Sequence, residues 1–232
     1  MEYQTTDLLY ENPLAEPADV EEFVLEGDAA TTFPRGRLRL ESVHGPDDVD
    51  VPHFVFWCPE EFPDDVAISW DFWPVAEPGL CMLFFAAKGR DGEDVLDSSL
   101  AERTGDYPEY HSGDIDALHA SYYRRNFHGE PWDEREFQTI NLRKSHGFHL
   151  VAEGGDPIPN VRDAKPPYPI TVVKSGPDVA FYVDDLEVFH WTDDESTGPA
   201  LGGGKIGFRQ MSPFVGEYAD LTVHRVETDE RA

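Results

Sequence analysis

Lysine is scarce in this chain. Only five of its 18 basic residues are lysine, against 47 acids, and the formal net charge is −29. Cysteine is scarcer still, with two, and no apolar run approaches the roughly 20 residues that span a bilayer. Each shortage excludes something. Phosphate binding needs clustered cations, so neither a duplex nucleic acid nor an anionic membrane is an expected partner. Two cysteines are too few for a disulfide framework. Cys58 and Cys81 each sit in a strand-like hydrophobic run and read as buried thiols. The N-terminal MEYQTTDLLYENPL has neither the basic segment nor the apolar core of a secretory signal, so a cytoplasmic protein is the expectation.

The acids are spread along the whole chain instead of forming one tail. Dispersed acidity with little lysine suits a protein kept soluble in concentrated salt, where screening removes self-repulsion. We therefore expect a halophilic protein. With 40% hydrophobic and 12% aromatic residues, the chain can bury a sizeable core, and its length fits one domain over 1–232.

Long amphipathic helices are also missing, and the dominant period is two. VAISWDFW (66–73), LCMLFFAA (80–87), FQTINLRK (137–144), YPITVVKS (168–175), KIGFRQM (205–211) and ADLTVHRV (219–226) read as strands punctuated by Gly, Pro or Asp. VAFYVDDLEVFHW (179–191) reads as a hairpin turning at Asp184–Asp185. GPDDVDVP (45–52) reads as a loop. Between 88 and 136 no strand is evident. That segment is expected to be a long loop insertion, with a short helix across DIDALHASYY because Ile115, Leu118 and Tyr122 share a helical face.

Strands of this kind imply two packed antiparallel sheets, an all-β sandwich or jelly roll. Alternation then assigns faces. Ile68, Trp70 and Phe72 form an apolar row opposite Ser69, Asp71 and Trp73. Ile140 and Leu142 oppose Asn141 and Arg143, and Ile206 and Phe208 oppose Gly207 and Arg209. If the polar rows share one sheet, its face gathers Asp71, Trp73, Asn141, Arg143 and Arg209. Arginines retained against such a negative background point to an anionic or hydroxyl-rich ligand.

HFVFWCPEEFP (53–63), ISWDFWPVAEPGLCMLFFAA (68–87), YPEYHSGDIDALHASYYRR (107–125), NLRKSHGFHL (141–150) and GKIGFRQMSP (204–213) closely resemble the YesU-like family. That family of unknown function lies in the concanavalin A-like lectin/glucanase superfamily, and the likeness runs from YENPL (10–14) to LTVHRV (221–226). The resemblance implies a concanavalin A-like jelly roll, and the 88–136 loop is expected to fold over its concave face. It also implies a carbohydrate context, since the family's namesake is associated with breakdown of rhamnogalacturonan. It carries over no catalytic set.

HSGDIDALH (111–119) offers His111, Asp114, Asp116 and His119 as metal donors, but it matches no standard metal motif, and Asp114 serves equally as a helix cap. No metal or cofactor is assigned; a structural calcium stays open because aspartates are plentiful. The E-x-D-x-E strand of the superfamily's retaining glucanases is absent. A carboxylate pair would have to join Asp71 to Asp114 or Glu109. A lyase needs instead Arg, Asn or Gln on a uronate carboxylate and Tyr or His to move the adjacent proton. On that basis Asp71, His111, Tyr122 and Arg143 are the expected catalytic residues, with His111 and Tyr122 facing Arg143. Trp73, Tyr107, Tyr110, Arg124, Asn141, His146, Arg209 and Gln210 are expected to contact substrate. Trp57 is expected in the core. The expected function is cleavage, by hydrolysis or elimination, of a small uronate-containing oligosaccharide of pectin or rhamnogalacturonan type. The alternative is a non-catalytic glycan-binding module or sugar sensor. Oligomeric state, including a homodimer, is left open.

Overall fold

Alternating side chains build two antiparallel sheets that share one apolar interior. The structure is a computed structural model and describes residues 1–44, 53–125 and 138–228; the 45–52 loop reading lies outside them. The strands are β1 (Tyr3–Asn12), β2 (Val24–Gly27), β3 (Ala29–Thr32), β4 (Leu38–Ser42), β5 (Phe54–Phe62), β6 (Val66–Ala76) and β7 (Gly79–Gly89). They continue, after helix α1 (Tyr107–His111), with β8 (Ile115–Arg125), β9 (Thr139–Ser145), β10 (His149–Gly155), β11 (Tyr168–Ser175) and β12 (Asp178–Val183). The last three are β13 (Leu186–Thr192), β14 (Gly204–Met211) and β15 (Val215–Thr228). One sheet runs β13-β12-β11-β6-β15-β4-β3, with β1 also on β15. The other runs β10-β9-β8-β7-β14-β5-β2. This is the expected concanavalin A-like jelly-roll sandwich.

The shared core takes the inward row of each strand: Phe54, Phe56 and Cys58; Ile68, Trp70 and Phe72; Cys81, Leu83 and Phe85; and Phe208 with Tyr218 across the layer. Both cysteines are free and buried. The β12–β13 hairpin turns at Asp184–Asp185 as expected, with Val183 paired to Leu186. Asp184 has φ 50°, a left-handed conformation that Asp accepts more readily than most residues.

Two expectations about 88–136 need correction. Residues 115–125 form neither loop nor helix. They form β8, a central strand paired with β7 and β9. Leu118, Ala120 and Tyr122 enter the core between the sheets, while Ile115 and Ala117 belong to a second apolar cluster on the other face. A strand buried on both faces reads as a continuous apolar run, which mimics a helical stripe. The segment before β8 does cross the outer face of the seven-stranded sheet. There Val95 and Tyr110 pack on Trp57, Met82 and Phe84. Gly105 makes that close approach possible. Its φ is +95° and a Cβ there would collide with the His53 carbonyl. Among the described residues no helix is long and apolar enough to cross a membrane.

Candidate functional site

The outer face of the seven-stranded sheet carries a layered cluster of aromatic and cationic side chains. Its sealed floor is Trp57, Phe84 and Tyr110. Trp57 lies 5.7 Å from Phe84 and 6.4 Å from Tyr110 between ring centroids, and Phe84 stacks on His119 at 5.1 Å. Glu26 locks this floor, accepting from Trp57 Nε1 at 2.8 Å and from Arg103 at 2.7 and 3.1 Å. Trp57 and Tyr110 are fully buried. Trp57 is therefore packing, as expected, and Tyr110 cannot contact substrate as expected of it.

Above the floor, α1 brings Tyr107 and His111 against the β9–β10 turn. Phe148 of that turn, 47% exposed, lies 4.7 Å from the His111 ring and 5.5 Å from Tyr107. The Arg143 guanidinium sits 3.7 Å over the Phe148 ring and donates to the Phe148 carbonyl at 3.0 Å. Arg143 makes no ion pair among the described residues. His111 and Arg143 thus meet around one exposed aromatic ring. His111 is held below the usual histidine range by burial and then by the charges of Arg143 and Arg209.

Beneath Phe148 runs a hydrogen-bonded chain that the sequence did not reveal. Tyr107 Oη lies 2.9 Å from His119 Nδ1, and His119 Nε2 lies 3.1 Å from Ser145 Oγ. With its proton on Nε2, His119 donates to Ser145 and accepts from Tyr107. Burial, helped by Arg143, His111 and Arg209, lowers His119 to about 3, so the ring is neutral. Burial raises Tyr107 to about 12, although Arg209, Arg143 and Arg124 oppose the rise. Arg209 lies 4.9 Å over the Tyr107 ring and donates to the Gly105 carbonyl at 2.9 Å. It is only 1% exposed and supports Tyr107 from below; it does not meet a ligand directly.

At the far end of β8 and β9, Arg124 Nη1 donates to Thr139 Oγ1 at 2.7 Å. In the orientation that satisfies both ends of its amide, Asn141 accepts from Arg124 at 2.9 Å and donates to Glu153 at 3.2 Å. Arg125, by contrast, turns inward to Asp156 at 2.9 Å.

Five expected site residues lie elsewhere. Asp71 and Trp73 keep their row opposite Ile68, Trp70 and Phe72, but β6 belongs to the eight-stranded sheet. They face away from Arg143, and Asp71 cannot pair with Asp114 or Glu109. Glu109 is already bound by Thr104, and Asp114 by the Ala101 amide. Tyr122 is fully buried in the shared core, 5.8 Å from Trp70 and 5.3 Å from Phe72, so it does not face Arg143. Gln210 has the parity of Phe208, not of Arg209; it is buried, donating to the Leu40 carbonyl and accepting from Tyr218. His146 is exposed and lines an adjoining groove of about 960 Å³ with Arg90, Asp114, Asp116, Lys144 and Ser145, so it does not meet Phe148 and Arg143 directly. The proposed metal donors are also dispersed, since His119 is consumed by Tyr107 and Ser145. Phe148 could have been noticed as an aromatic at the tip of SHGFH, between two strands; nothing local marked His119 as the partner of Tyr107.

Two packed antiparallel sheets in this strand order define a galectin-like, jelly-roll β-sandwich. The chain belongs to the family described as "Domain of unknown function (DUF1961)", whose pattern matches residues 7–223. It is 50% identical to the uncharacterized protein YesU of Bacillus subtilis strain 168, over 96% of this chain and 98% of that one. It is similar to a Bacillus subtilis protein of unknown function with a galectin-like fold, at 50% identity and a TM-score of 0.90, over 97% of this chain and 99% of that one. It also shares its fold, at 11% identity and a TM-score of 0.61, with an endo-β-1,3-glucanase from Pyrococcus furiosus, over 95% of each chain.

Proposed function

We propose that the Phe148–Arg143 face binds an acidic oligosaccharide, of uronate-containing pectin or rhamnogalacturonan type, in the cytoplasm, and cleaves it by elimination. The observation that carries this reading is Arg143. It is a guanidinium with no ion pair among the described residues, stacked on a half-exposed aromatic ring, in a chain of net charge −29. A pyranose offers an apolar C–H face to Phe148, and its carboxylate suits the planar fork of an arginine. The fold shared with a glucanase supports a carbohydrate ligand.

Elimination fits the side chains better than hydrolysis, because Asp71 is on the other sheet and Glu26 and Glu109 are engaged. Arg143 on the carboxylate acidifies the C5–H. The C5 proton passes to Tyr107 Oη as the Tyr107 proton moves to His119 Nδ1. The C5–H electrons form the C4=C5 bond, and the C4–O bond breaks with its oxygen protonated by solvent. A second reading, binding without cleavage, is favoured by the high pKa of Tyr107, about 12, which keeps that hydroxyl protonated.

One experiment separates them. The protein is incubated in molar salt with oligogalacturonides and rhamnogalacturonan oligosaccharides, and reducing ends, ultraviolet absorbance of unsaturated product and heat of binding are followed. Reducing ends with absorbance mean elimination, and reducing ends alone mean hydrolysis. Heat without either sinks the enzymatic step and leaves the binding module.

A further inference from the structure

The outer face of the eight-stranded sheet, opposite the face just described, holds a second cationic cluster. The β3–β4 hairpin supplies it. Leu38 and Leu40 point into the core, so Arg37 and Arg39 alternate outward, and Arg35 joins them from the turn, where it adopts φ 61°. All three converge on one carboxylate, Glu217 of β15, whose side chain is fully buried. The distances are 3.0 Å from Arg35, 2.6 Å from Arg37 and 2.5 Å from Arg39. Burial alone would raise the Glu217 carboxyl, but the Arg39 and Arg35 hydrogen bonds and the Arg37 charge outweigh it and hold it below its usual range.

Three guanidiniums on one carboxylate leave two positive charges uncompensated within the cluster. Arg37 is fixed against Trp73, with its guanidinium 4.4 Å over the ring, and among the described residues its buried Nε has no hydrogen-bond partner. Arg35 keeps two-thirds of its side chain in solvent. A chain with 13 arginines among 232 residues places three of them within five positions and pins them with a buried acid and a tryptophan. Glu217 orients the trio and cannot neutralise it.

We propose that Arg35, Arg37 and Arg39, pre-set by Glu217 and Trp73, form a binding site for an oxyanion: the carboxylate of an acidic sugar or a phosphate. The planar donors match either group bidentately. The site stands on the other sheet from Arg143 and does not depend on the reading of that face.

The test titrates the wild-type protein and its Arg35→Gln and Arg143→Gln variants with inorganic phosphate and with digalacturonate. Ionic strength is held constant, and calorimetry and Trp73 fluorescence, assigned with Trp73→Phe, are the readouts. Wild type and Arg143→Gln are expected to give the same fluorescence response, and Arg35→Gln a response weakened by about three- to tenfold, the loss of one charge-assisted contact. A response to digalacturonate alone assigns an acidic sugar, one to phosphate alone assigns a phosphate ligand, and either supports the site. Arg35 is mostly exposed, so Arg35→Gln should melt with wild type, which excludes misfolding as the cause. No response to either anion in the wild type, or equal responses in wild type and Arg35→Gln, overturns the proposal. Loss of digalacturonate heat only in Arg143→Gln, with Trp73 silent, leaves the Phe148 face standing and removes this one.

Discussion

At the level of single residues, the Phe148 face depends on one partly exposed cation and one buried neutral histidine. Arg143→Gln removes the guanidinium while keeping most of the stem. Binding of oligogalacturonides should weaken by about tenfold or more, the value of a charge-assisted hydrogen bond to a carboxylate. The melting temperature should stay within about 2 °C, because Arg143 is partly exposed and holds no ion pair among the described residues. Unchanged affinity would remove Arg143 from the site. His119 gives a pH signature. It is buried and lowered to about 3, whereas an unfolded histidine titrates near 6.5. Between those values the unfolded chain binds the extra proton, so stability falls as pH drops from about 6.5 towards 3 and is fully present above that window. His53, lowered to about 4 by burial and by Arg209, adds to the same slope. His119→Gln should therefore flatten, without abolishing, the loss of melting temperature on acidification. An identical pH profile in the variant would show that His119 is not the buried neutral base inferred from its contacts.

At the level of elements, β8 marks the boundary between what the sequence discloses and what it hides. Strands with a partly exposed face, such as β11 and β13, alternate visibly and fall within a residue or so of their expected limits. β8 is buried on both faces and carries Tyr122, Tyr123 and His119, so its apolar positions fit a helix as well as a strand. The same burial misdirects the site. Alternation correctly separated Asp71 from Trp70 and Arg143 from Leu142, but it carries no information about which sheet a strand joins. Asp71 and Arg143 therefore looked like neighbours and are not. Side-chain parity also places Gln210 with Phe208, a distinction that the adjacency of Arg209 and Gln210 obscures. Tyr122 tests this correction. Among the described residues its buried hydroxyl has no well-formed hydrogen bond, only the nearby Trp70, Tyr218 and Cys81, so Tyr122→Phe should change stability by less than about 1 kcal/mol and leave oligosaccharide binding intact. Tyr122→Ala opens a cavity among Trp70, Phe72 and Phe181 and should cost about 3–5 kcal/mol. Loss of ligand processing in a stable Tyr122→Phe protein would return Tyr122 to the catalytic list.

At the level of the whole molecule, the charge distribution makes its own prediction. Lysine, usually a solvating surface residue, is here largely spent on structure, Lys165 alone of the five being exposed. Lys144, Lys174 and Lys205 are 1%, 3% and 4% exposed and reach Asp193, Asp64 and Asp94, while Lys88 pairs with Glu61. The solvent-facing charge is consequently left to the acids, and a net −29 on one folded chain repels itself. At roughly 0.1 M salt the screening length is about 10 Å and the repulsion acts between neighbouring strands; near 1 M it shrinks to about 3 Å. Added salt weakens the exposed ion pairs too, but those are worth little each, and the buried lysine pairs are screened much less. The repulsive term should dominate. The melting temperature is expected to rise by about 5 °C or more between low and molar potassium chloride, corresponding to a gain of a few kcal/mol for a chain of this size. Substituting a few exposed acids by asparagine or glutamine, away from Glu26 and Glu217, should raise the low-salt melting temperature and shrink the salt dependence together. If melting is flat or falls with salt, the acids are tolerated singly and the chain's charge is not an adaptation to concentrated salt.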